Sequence, residues 1–72
     1  MVTKAEKEQA EIKQAITDGL DSIIEVTDEA RDSWDTYLEK EVKASAKRVR
    51  KMTLELKKKA AAVRALFKEL TL

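Results

Sequence analysis

Glu39-Lys40-Glu41-Val42-Lys43 is the stretch on which the fold turns. Before it, apolar or small residues recur as Ile12, Ile16, Leu20, Ile23, Thr27, Ala30, Trp34 and Tyr37, with Ile24 and Leu38 widening the stripe. From Ile16 onward the steps alternate between three and four, the spacing of a coiled-coil-like seam. After the stretch a second stripe runs Val42, Ser45, Val49, Met52, Leu56, Ala60, Val63, Phe67 and Leu70, broadened by Leu66. The first stripe carried forward would use Glu41, yet the apolar residue is Val42, so the phase slips here. A slip of this kind is either a turn or a stutter within one continuous coiled-coil helix. None of the five residues is a Gly or Asn that readily takes the left-handed conformation of a turn.

The turn is the expected reading. A continuous helix of some 65 residues would be on the order of 100 Å long and would need partners along its whole length. A hairpin covers each stripe with the other at once. Nothing alternates with period two, so strands are not expected. The expected fold is all-α: a two-helix antiparallel hairpin in a single domain over residues 1–72, with helix one at about 4–39 and helix two at about 43–70. One long continuous coiled-coil helix is the alternative. Two helices make one seam and no closed core, so a homodimer forming a four-helix bundle is expected, with Trp34 and Tyr37 packed near one end. Gly19 within a helix costs about 1 kcal/mol relative to Ala, and a close helix crossing is one reason for it to be there.

Composition points the same way. The 72 residues contain neither Cys nor Pro nor His, and only one Gly. A chain this short buries only about 60% of its unfolded surface. Disulfides being impossible, a partner chain is the expected source of further burial. No apolar run approaches the roughly 18 residues of a membrane span, and the N-terminus lacks the apolar stretch of a signal peptide. A cytoplasmic protein that engages no membrane is expected.

The net charge of +1 conceals a division. Residues 1–40 carry five basic and eleven acidic side chains, a balance of −6, whereas residues 41–72 carry ten basic and three acidic ones, a balance of +7. An acidic first helix lying antiparallel to a basic second one is electrostatically favourable, and such asymmetry also hints at an anionic partner for the basic half.

Catalysis is not expected. Without His or Cys, no Ser–His or Cys–His nucleophile pair can be built, and the Glu-x-x-His pairs of four-helix di-metal sites cannot occur. The carboxylates of Asp28, Glu29, Asp32 and Asp35 read as a solvated helix face. No cofactor, metal or small-molecule substrate is expected.

The informative segment is Lys43-Ala44-Ser45-Ala46-Lys47-Arg48-Val49-Arg50-Lys51. With Ser45, Val49 and Met52 turned inward, Lys43, Lys47, Arg50 and Lys51 point outward. Lys57 and Lys58 continue that face, with Lys59 and Arg64 on its flanks. Helical rise spaces these cations a few ångströms apart, close enough to follow a phosphate backbone. Ala44, Ser45 and Ala46 are small enough for a sugar-phosphate chain or another helix to approach. No polar cluster suited to reading bases is evident, so contacts to the backbone with little sequence preference are expected. The blander reading is that these cations balance the acidic helix and keep the bundle soluble. Leu54 falls among the outward positions, where this register offers no role for it.

The run Lys40-Glu41-Val42-Lys43-Ala44-Ser45-Ala46-Lys47-Arg48-Val49-Arg50-Lys51, followed by Leu54, Leu56-Lys57-Lys58, Ala60 and Arg64, resembles the bacterial linker-histone-like family, which includes the chlamydial histone-like protein and short bacterial relatives. The resemblance spans roughly residues 20–68. It implies a nucleoid-associated protein binding double-stranded DNA, with Lys43, Lys47, Arg48, Arg50 and Lys51 as the positions carried over. Where members of that family tend to have Gly-Asn before the basic run, this chain has Glu41-Val42. The competing expectation is a structural or adaptor coiled coil whose partner is another helix.

Overall fold

The computed structural model describes residues 3–70. Two helices make up the fold, α1 at Lys4–Lys40 and α2 at Lys43–Glu69, folded back on each other as an antiparallel hairpin 58 Å long and 18 by 15 Å across. The hairpin expected from the phase slip is therefore the observed fold, and the continuous helix is not. No helix among the described residues is long and apolar enough to cross a membrane.

Each end of α1 has a local cause. Thr3 is extended, and its hydroxyl accepts from the Glu6 N–H at 3.1 Å. With an acid three residues later, this is the Thr-x-x-Glu start that satisfies an otherwise orphaned donor. At the other end Glu41 enters the left-handed region, φ 52° and ψ 35°, while its N–H still donates to the Tyr37 carbonyl at 2.7 Å. Val42 is extended, and its carbonyl accepts from Ser45 N–H, beginning α2. The turn is thus made by two residues, and the left-handed position that the sequence seemed unable to supply is taken by a glutamate. Such a conformation costs an L-residue about 1–2 kcal/mol, less than the burial of an entire seam returns.

The seam is regular in both helices. On α1 the buried and half-buried positions include Gln9, Ile12, Ile16, Gly19, Ile23, Val26, Ala30, Ser33 and Tyr37; on α2 they include Ser45, Val49, Met52, Leu56, Lys59, Val63, Leu66 and Leu70. Steps of three and four alternate throughout, as knobs-into-holes packing requires. Against expectation, Gly19, Val26 and Ser33 occupy places read as Leu20, Thr27 and Trp34, and Lys59 and Leu66 replace Ala60 and Phe67. Val42 too is exposed. The reason lies at Gly19, where a Cβ would stand 2.5 Å from Val63 Cγ2. The helices approach over Gly, Ser and Ala, and the bulkier neighbouring residues are turned aside.

Polar groups tie the same register. Lys59 Nζ donates to Ser22 Oγ at 2.8 Å, and Gln9 Nε2 donates to the Glu69 carbonyl at 3.2 Å. No buried side-chain nitrogen or oxygen among the described residues lacks a partner. The apolar core is slender: Ile16, Ala30 and Val63 are its buried apolar residues, and none of the large side chains described is fully buried.

Candidate nucleic-acid interface

The seam fixes where every charge lies. In an antiparallel pair of right-handed helices, residues immediately before the seam positions of both helices share one face, and residues immediately after them share the opposite face. On α1 the residues before the seam are mostly acidic: Glu8, Glu11, Asp18, Glu25, Glu29 and Asp32. The corresponding row of α2 carries Arg48, Lys51 and Lys58 together with Glu55 and Glu69.

A separate row of α2, two residues before each seam position, points away from α1. It runs Lys43, Lys47, Arg50, Leu54, Lys57, Ala61, Arg64 and Lys68, in steps of four and three, and all eight are exposed. Six of them are cations, and at 1.5 Å per residue the row is roughly 38 Å long. Its Arg and Lys side chains have no ion pair among the described residues. The ion pairs there are Arg31–Asp35 at 3.1 Å and Lys59–Glu55 at 4.0 Å, each within one helix. The attraction expected between an acidic α1 and a basic α2 therefore acts through the general field and not through cross-helix pairs.

The residues singled out from the sequence thus fall into two groups. Lys43, Lys47, Arg50 and Lys57 stand in the outward row, whereas Arg48, Lys51 and Lys58 lie on the side of the acidic face. Lys47 links the two groups, because with Ala44, Arg48 and Lys51 it lines a shallow, open depression near the start of α2. Ser45 is not available beside them, being buried in the seam. Lys59, expected on the flank, is half-buried against Ser22 and belongs to the packing. Arg64 belongs to the row itself, and Lys68 extends it. The signal for both was the seven-residue repeat from Arg50 and Lys57 to Arg64, and from Lys47 through Leu54 and Ala61 to Lys68. Leu54, 60% exposed, sits in the middle of the row.

The first turn of α2 has no acidic residue and no side-chain cap. Lys43 and Lys47 stand at this end of the helix, which begins directly after Glu41 and the carbonyl end of α1. Among the described residues no group of three or more His, Cys, Asp or Glu side chains is placed to hold a metal ion.

No curated protein and no solved structure matches the chain. The model of one protein family does, that of the histone H1-like protein Hc1, over residues 17–70. That span holds the seam of α1 from Gly19 onward, the turn at Glu41 and Val42, and all of α2. A match over three quarters of the sequence, in agreement with the resemblance carried by the basic run, makes the chain a member of this histone H1-like family.

Proposed function

We propose that the protein is a small nucleoid-associated DNA-binding protein of the cytoplasm. It contacts the phosphate backbone of double-stranded DNA through the outward face of α2 and has little preference for sequence. The observation that carries this reading is the outward row Lys43, Lys47, Arg50, Lys57, Arg64 and Lys68: exposed, straight and without carboxylate partners among the described residues. Membership of a histone H1-like family supports the same assignment.

The chemistry is that of charge neutralisation. A duplex carries one negative charge per about 1.7 Å of its axis, and each phosphate neutralised releases condensed counterions. Arg50 and Arg64 offer forked donors to phosphate oxygens, and the lysines act as mobile point charges. Helical rise sets successive row positions about 4.5–6 Å apart. The row holds no Asn or Gln of the kind that reads an adenine edge. Arg48, Lys51 and Lys58 add charge on the flank nearer the carboxylates of α1.

Fluorescence anisotropy with a labelled duplex over a series of salt concentrations tests this. Affinity is expected to fall linearly with salt on logarithmic axes, and a Lys47→Glu, Arg50→Glu, Lys57→Glu variant to lose binding while keeping its helicity. Absence of binding at low salt, or binding indifferent to these changes, would refute the reading. A coiled-coil adaptor that binds other helices is the second reading, favoured by Leu20, Ile24, Trp34 and Leu38 of α1, which stand exposed on the side away from the seam's small residues. Capture of partners from lysate that survives nuclease treatment would mark it.

A further inference from the structure

Leu54 is, apart from Ala61, the apolar member of the outward row, and it is 60% exposed. On a helix the surface neighbours of a residue are those three and four positions away. Here all four are cations: Arg50, Lys51, Lys57 and Lys58. At 3.6 residues per turn, Ala61 and Ala65 fall within about 20° of the line that Leu54 defines along α2, and both are exposed. Arg50, Lys57 and Arg64 flank this line on one side, and Lys51 and Lys58 on the other, each turned about 40–80° from it. The surface opposite the seam is therefore an apolar strip, Leu54 to Ala65, between two cationic edges. No ion pair among the described residues engages those cations. Because α1 packs on the seam side, it leaves the strip uncovered.

We infer that α2 lies in the major groove of the duplex, with Leu54, Ala61 and Ala65 against the groove floor and the two cationic edges on the phosphates of the two strands. This rests on the duplex-binding reading above and gives it a docking geometry. A helix that followed a single backbone would need one line of cations. Two lines on either side of an apolar strip match two strands on either side of a groove. The major groove, about 12 Å wide, admits a helix about 10–12 Å across, whereas the minor groove, about 6 Å wide, does not. The apolar group exposed on the major-groove floor is the C5-methyl of thymine, and a leucine tip can cover it. A·T and T·A pairs both present that methyl, so Leu54 favours A·T-rich DNA without reading the order of the bases. The short side chains of Ala61 and Ala65 let the helix come close to the floor. With helix axes roughly 8–10 Å apart in a packed pair, α1 stands behind α2 and keeps its carboxylates outside the groove.

Two A·T-rich duplexes of one sequence, one built with thymine and one with uracil, carry the same phosphates and differ only in that methyl. The full chain is expected to bind the uracil duplex about fourfold more weakly for each methyl that Leu54 covers, with the same salt slope on both. Leu54→Ser should bind the two duplexes alike and keep both the salt slope and the helicity, because Leu54 takes no part in the seam. Dimethyl sulfate reads the groove independently. On a saturated duplex of mixed sequence, guanine N7 in the major groove should be protected and adenine N3 in the minor groove should not. Equal affinity of the unaltered chain for both duplexes overturns the groove assignment and leaves the phosphate contacts standing. A difference that survives Leu54→Ser, or protection of adenine N3 in place of guanine N7, does the same. Binding to neither duplex at low salt is a separate result, which refutes DNA binding itself and the groove assignment with it.

Discussion

Gly19 faces Val63 across the hairpin so closely that a Cβ on residue 19 would stand 2.5 Å from Val63 Cγ2. Val63 is buried, and its branched side chain in a helix keeps essentially one rotamer, so it cannot swing aside. Gly19→Ala therefore sets two effects against each other. Alanine gains about 1 kcal/mol of helix propensity, while overpacking a fitted contact costs about 1–3 kcal/mol. A net loss is expected. Val63→Ala removes the colliding methyls, so in the double variant the alanine at 19 should become neutral or stabilising. Urea unfolding of all four proteins at one fixed concentration gives the coupling directly.

Glu41 holds the other point of strain. At φ 52° it is the one described residue other than glycine with a positive φ, and its side chain is exposed. Glu41→Gly relieves a cost of about 1–2 kcal/mol but gives back part of it through the greater freedom of the unfolded chain. A raised denaturation midpoint is expected for Glu41→Gly and Glu41→Asn, and a lowered one for Glu41→Val, whose branched side chain tolerates the left-handed region poorly. The order Gly or Asn above Glu above Val checks the turn without any structural measurement.

The helices, the hairpin and the cationic face were legible in the sequence because each is written in periodicity or charge. The turn was legible only as a break in phase, since no residue there announces it. The rotation of the seam was hidden for a different reason. Hydropathy favours Leu20 and Trp34 over Gly19 and Ser33 at every position considered singly, whereas close approach favours the small residues, and that preference appears only once Val63 is opposite. The same preference for small residues leaves Leu20, Ile24, Trp34 and Leu38 of α1 exposed, outside a seam that does not need them. In α2 the equivalent effect placed Lys59 inside, where a long aliphatic stem can pack while the ammonium reaches Ser22.

Lys59 separates packing from binding. Its Nζ donates to Ser22 Oγ at 2.8 Å, and its side chain is 33% exposed. Lys59→Ala should lower stability by about 1–2 kcal/mol through the lost stem contacts and hydrogen bond. It should leave DNA affinity nearly unchanged, apart from the small general effect of one charge. Chemical denaturation and anisotropy on the same preparation give both numbers. A large loss of affinity with stability intact would place Lys59 in the interface instead.

Arg50 and Arg48 are two residues apart and identical in chemistry, so comparing them isolates position. Arg50 stands in the outward row, with no ion pair among the described residues. Arg48 precedes Val49 of the seam and lies on the face that carries Glu25, Glu29 and Asp32 of α1. A phosphate approaching Arg48 meets the field of those carboxylates, whereas one approaching Arg50 meets Lys47 and Lys57 on either side. Arg50→Gln should therefore weaken binding on every duplex sequence alike and reduce the salt slope by about one, as the loss of a single phosphate contact does. Arg48→Gln should produce a smaller change in both quantities. Equal effects would mean that the polyanion wraps both faces of α2, and a larger effect at Arg48 would move the binding surface from the outward row to the depression lined by Ala44, Lys47, Arg48 and Lys51.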